Sequence, residues 1–192
     1  MERGAPYHAI MIHLRFSFRC PLVAAAALIA TIAAACASVR RTDDVPPSRP
    51  LERTRGVLIA RPNDASYSTS TYAISGNAAA HALQRAFATH AASAMVINDC
   101  RDETCLRQRQ EAGNSYLVIP TLVAWEDRRS RLTPNSDRVD LKLRILGPGG
   151  TQATTTLVIS GAWTTTGTDR PEDLLIEPIR AYVEGLYRRP QP

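Results

Sequence analysis

Residues 138–146 read RVDLKLRIL and alternate without a fault. Val139, Leu141, Leu143 and Ile145 fall on one side, Arg138, Asp140, Lys142 and Arg144 on the other. Side chains of a strand point to opposite faces in turn, so this pattern predicts a strand with one buried and one solvated face. Antiparallel sheets produce that arrangement. Outward along the chain, Gly147-Pro148-Gly149-Gly150 predicts a turn and TTTLVISGAW (154–163) a returning strand. Upstream, SYLVIPTLVAWEDR (115–128) predicts a long strand. Pro120 within it has no N–H to give a ladder, which calls for an edge position, a bulge or a strand start. Together these three segments predict an antiparallel meander.

Further out, the pattern changes. GVLIAR (56–61) and AMVIND (94–99) are short apolar runs that predict buried strands. Between them, residues 77–90 place Ala79, Leu83, Ala86, Phe87 and His90 on one helical face, with Ser75 or Asn77 available as a cap. ASYSTSTYAISG (65–76) predicts a loop or irregular extended segment. A second helix is expected around residues 101–112, with Asp102 and Glu103 at its positive end and Gly113 past its last turn. Residues 178–188 predict a third, presenting Ile179, Tyr182, Val183, Leu186 and Tyr187 to the sheet, after a separate short turn at Asp169 and Pro171. The expected fold is a single small α+β domain, β-α-β-α-β-β-β-α, with a mixed sheet and helices mainly on one face.

The amino-terminal 36 residues read as an address. Pro21 to Ala35 carry no charge, and these 15 residues fall short of the ~20 needed to span a bilayer. The run ends at Cys36, preceded by Ala33, Ala34 and Ala35 and followed by Ala37 and Ser38. That pattern resembles a bacterial lipobox, with Cys36 as the lipidated residue. Ala33 stands where the pattern prefers leucine. The competing reading is an ordinary signal peptide cut after an A-x-A site. Residues 1–36 are therefore expected to be a signal peptide with lipobox, 37–54 a flexible tether, and 55–192 the folded domain. With no aspartate after Cys36, the expected location is the outer membrane, facing the periplasm.

The formal net charge is +5, and taking away Arg3, Arg15, Arg19 and Glu2 of the leader leaves +3. A nucleic-acid binder needs a denser basic face, so no nucleic-acid partner is expected. Of four cysteines, only Cys100 and Cys105 remain beyond Cys36, and an oxidising compartment favours a disulfide between them. Free thiols or a metal pair compete with that reading, although no second CxxC or nearby histidine completes a metal site.

YLVIPTLVAWEDR (116–128), DRVDLKLRIL (137–146) and PEDLLIEPIRAYVEGLY (171–187), with the lipobox and helix 77–90, resemble the bacterial lipoproteins grouped as domain of unknown function 4823. The resemblance covers most of residues 55–188 and implies no activity. The chain has no GxSxG, phosphate-cradling glycine loop or HExxH, and His81 and His90 lie on opposite faces of one helix. No catalytic residue, cofactor or metal is expected. Trp125, Glu126, Asp127, Arg128, Arg138 and Arg144 form the candidate partner surface. A core Trp125 beside strand-end ion pairs is the plainer reading of the same residues. The functional expectation is a non-catalytic envelope lipoprotein, membrane-anchored, that docks on a partner protein or assembly. The alternatives are a cell-wall or glycan hydrolase using Glu126 or Asp127, and a small-ligand carrier.

Overall fold

The computed structural model describes residues 37–47, 49–67, 70–126, 137–147, 150–161 and 171–188. All of them belong to one compact unit, Ala35–Pro192. Among the described residues the strands are β1 (Ala37–Val45), β2 (Gly56–Ala60), β3 (Ser66–Tyr67), β4 (Ser70–Thr71), β5 (Ser93–Ile97), β6 (Ser115–Glu126), β7 (Asp137–Gly147) and β8 (Gly150–Gly161). The α-helices among the described residues are α1 (Ser75–Ala88), α2 (Glu103–Arg107) and α3 (Ile176–Tyr187). A 3-10 turn at Gln110–Asn114 follows α2, and another at Pro171–Leu175 runs into α3. The main sheet has six strands in the order β1-β8-β7-β6-β2-β5, while β3 and β4 pair separately.

This is the expected mixed α+β sheet. β2 pairs in parallel with both β5 and β6, and every other pairing is antiparallel. Strand β2 is buried on both faces, as a central parallel strand must be. The two crossovers explain where the helices lie. The chain leaves β2 through α1 to β5 on one side, then returns through α2 to β6 on the other. Both crossovers obey the right-handed rule only if their helices take opposite faces. Accordingly α1 and α3 cover one face over Val57, Ile59, Val139, Leu141, Leu143, Ile145, Leu157 and Ile159. The short α2 supplies Leu106 to a smaller cluster on the other face, with Leu58, Ala60, Leu117, Ile119 and Leu146.

Several local expectations need correction. Helix α1 is capped by neither Ser75 nor Asn77: the Gly76 N–H donates to Asp64 Oδ1 at 2.7 Å, and Ser75 Oγ bonds the Tyr72 carbonyl. A carboxylate from the preceding loop thus meets the helix's positive end. A Cβ at Gly76 would collide with the Pro62 carbonyl oxygen, so the loop can reach the helix only over a glycine. The second helix is a single short α2 rather than a run to Ala112, with Asp102 as its cap accepting from the Cys105 N–H. Pro120 sits beyond Val118, the last residue of β6 that β2 pairs, so that part of β6 has β7 alone as its partner.

The largest correction concerns residues 37–54. The expected tether is not a tether along its first half: Ala37–Val45 is an edge strand, antiparallel to β8 from Ala37↔Gly161 to Val45↔Thr154. Leu51 is buried further on, its N–H bonding the Leu186 carbonyl at 2.8 Å. The physical reason is β8. Its backbone groups and the inner Leu157 and Ile159 need a neighbour on the side away from β7.

Candidate protein-docking face

The register of four strands builds the face row by row. Glu126, Arg138, Ser160 and Ser38 form one row; Ala124, Asp140, Val158 and Arg40 the next. Thr121, Lys142, Thr156 and Thr42 follow, then Ile119, Arg144, Thr154 and Val45. Opposite-face rows such as Leu122, Leu141 and Leu157 lie under the helices. Thr121, Val123, Lys142, Arg144, Arg40 and Thr42 are exposed, and among the described residues α2 is the helix that packs on this side of the sheet, at one corner.

Charge on this face is arranged in pairs. Arg138 donates twice to Asp140, Nε to Oδ1 at 2.8 Å and Nη2 to Oδ2 at 2.5 Å. Asp140 is buried beneath that fork. The Asp140 hydrogen bonds, and after them its charge, hold the Arg138 guanidinium still more firmly protonated, with Glu126 contributing. Lys142 Nζ lies 3.2 Å from Asp44 of β1. Arg144 reaches Glu103 of α2 at 3.0 Å, and Glu103 also accepts from Arg107 at 2.7 Å. Such half-exposed pairs contribute little stability each, roughly 0–1 kcal/mol. Their chemistry is that of an adaptable donor array with threonines, Val123 and Val158 between the charges. The displaced carboxylates, Asp43, Asp99 and Glu184, all shift downward, toward the ionised form.

Of the residues expected on the partner surface, Glu126, Arg138 and Arg144 lie on this face together. Trp125 does not: it is 4% exposed and packs in the main core on the opposite side. An exposed aromatic anchor is thereby replaced by the core reading. Asp127 and Arg128 lie outside the described residues, as does Cys36. Cys100 and Cys105 are joined in a disulfide at one corner of the α2 cluster. Among the described residues no three His, Cys, Asp or Glu side chains form a metal-binding group. His81 is exposed, whereas His90 stacks on Tyr187 at 5.3 Å between ring centroids.

One constellation escaped sequence reasoning. Tyr182 Oη donates to Thr155 Oγ1 at 3.0 Å, Thr155 Oγ1 donates to Asp43 Oδ1 at 2.7 Å, and Arg41 Nε donates to the same carboxylate at 2.8 Å. The Arg41 guanidinium lies 5.0 Å from the Tyr182 ring centre. This chain of contacts fastens β1 to β8 and α3. Its only sequence signal is a threonine among the inward positions of β8.

Helices on a mixed six-stranded sheet define the class: a small α+β domain, with the outer side of four antiparallel strands largely uncovered among the described residues. The chain belongs to the domain of unknown function 4823 family, whose model matches residues 49–186. No curated protein matches it in sequence. Among solved structures it is similar to the PelC dodecamer from Paraburkholderia phytofirmans, at 15% identity and TM-score 0.57, over 80% of this chain and 99% of that one. A point variant of the same dodecamer matches at 13% identity and TM-score 0.54, over 80% and 100%. At such identities the likeness is one of fold.

Proposed function

We propose that this protein is a non-catalytic lipoprotein of the bacterial cell envelope. Anchored through Cys36 at the outer membrane and facing the periplasm, it docks on a partner protein or envelope assembly through the outer face of β1, β8, β7 and β6. The observation that carries the reading is the asymmetry of the sheet. One face is filled by α1 and α3, while the other presents Arg138, Lys142 and Arg144 among threonines, with α2 at one corner as the only helix packed against it among the described residues. A solvated face is ordinary for an antiparallel sheet. Here it is also broad, with Val123 and Val158 among its threonines, and it carries Arg40, Arg138 and Arg144, arginine being a favoured interface residue. The dodecameric state of PelC supports the reading, since there the same fold serves as a subunit of an assembly.

Two experiments test it. Cys36→Ala should move the protein out of the membrane fraction and abolish lipid labelling; a variant that stays membrane-bound places the anchor elsewhere. A photo-crosslinking residue at Thr121 or Thr156, on the open face, should yield adducts in living cells. The same probe at Ala181, exposed on α3, should yield none. Equal adducts from both sites would remove the docking face from the reading. Hydrolysis of a cell-wall substrate by the purified protein, lost in Glu126→Gln at unchanged stability, would overturn the non-catalytic assignment.

A further inference from the structure

The end of the sheet that holds Ala37 is where the chain meets Cys36. Ala37 is the first residue of β1 and already pairs with Gly161, which pairs with Asp137 in turn. Consecutive Cα atoms are ~3.8 Å apart, so a lipid on the Cys36 sulfur would have a single peptide unit between it and a hydrogen-bonded sheet. No slack is left for a domain to hang away from the bilayer. β1 is held in place along its length by its ladder with β8, at Asp43 by the hydrogen bond from Thr155, and at Arg41 by the Tyr182 ring.

We infer that the domain stands directly on a phospholipid surface, with the sheet end that holds Ala37, Gly161 and Asp137 toward the headgroups and the Gly147–Gly150 pair at the far end. This rests on the lipid-anchor reading above and adds to it an orientation. The charges of β1 agree: Arg40 and Arg41 lie nearer the anchor, Asp43 and Asp44 farther from it. Basic residues near an anionic leaflet are attracted and acidic ones repelled, an effect that fades within a Debye length of ~8–10 Å. Val39, 47% exposed although it lies on the inner side of the sheet, is an apolar residue at the same end. The docking face then rises perpendicular to the membrane.

The test uses the full lipidated protein purified from membranes and placed in vesicles of phosphatidylethanolamine and phosphatidylglycerol carrying a headgroup nitroxide. A fluorophore is attached at Ser160→Cys or at Thr151→Cys. Both positions are on β8, about 30 Å apart at ~3.4 Å per residue, and both are far in sequence from the anchor. Ser160 should be quenched about threefold more strongly than Thr151, because nitroxide quenching is short-ranged beside a 30 Å separation. A flexible Gly-Ser insertion of about a dozen residues between Cys36 and Ala37 should erase the difference. If the protein carries its lipid and floats with the vesicles but both sites are quenched alike, the orientation fails while the anchor stands. If it carries no lipid and does not float, the anchor reading fails and this inference with it.

Discussion

Trp125 and Glu126 are neighbours on one strand that face opposite sides of the sheet, and a bulge decides which residue faces where. In a regular strand Trp125 would share a face with Thr121, outside. The register of β6 shifts between Leu122 and Ala124, leaving Val123 as an extra residue, 61% exposed. The shift turns Trp125 inward opposite Val139 and brings Glu126 out opposite Arg138. Truncating a large buried ring leaves a cavity, so Trp125→Ala should cost about 3–5 kcal/mol, read from denaturant unfolding. Deleting Val123 should cost less, because it removes the extra residue and leaves Leu122 and Trp125 two positions apart, both still facing inward. A Trp125→Ala protein with unchanged stability would return that ring to the surface. The alternation of residues 138–146 was legible because β7 is regular over those positions. Nothing in LVAWE marks the bulge, so the side taken by Trp125 was open until the register was known.

The element least legible in the sequence is β1. ASVRRTDDV contains two valines among charges and shows no apolar period, because an edge strand beyond the helices buries little on either face. Its position depends instead on β8 and on polar contacts made at long range. Burial pushes the Asp43 carboxyl up, but hydrogen bonds from Arg41 and Thr155 and the Arg41 charge bring it, on balance, below its ordinary value. A lowered carboxylate stabilises the folded form above the unfolded pKa of about 3.9, and the contribution is lost as pH falls through the folded value. Strand β1 should therefore detach first on acidification below about pH 4. Amide exchange or pepsin cleavage within residues 37–45 should report it. Asp43→Asn removes the titrating group, so its β1 protection should no longer change across that range. Unaltered pH dependence in that variant would assign the acid response to another carboxylate. The first and last helices, by contrast, were legible: Leu83, Phe87, Ile179, Val183 and Leu186 are all buried as their spacing requires.

At the scale of the molecule, the matched family region begins at residue 49, four residues after β1 ends. A chain starting at Arg49 would keep the central strands β2, β6 and β7, the helices and the disulfide, and so most of the buried core. It would lose the strand that covers β8, exposing the edge of the eight residues Thr154–Gly161 with Leu157 and Ile159 alongside and Tyr182 no longer covered by Arg41. The opposite edge is better protected, since β5 has only five residues. The charges of β1 protect the native edge against in-register parallel pairing with copies of itself, which would set Arg40, Arg41, Asp43 and Asp44 opposite like charges. Removing it should therefore affect association more than core packing. The truncated protein should keep its circular dichroism spectrum yet form soluble oligomers or aggregates at concentrations where the chain from Ala37 does not, as light scattering would show. Replacing β1 by an unrelated charged strand of equal length should restore much of the solubility without restoring the acid response of Asp43. A truncated chain that stays monomeric with the same thermal midpoint would mean that β1 serves the anchor alone, and that β8 is a tolerable edge.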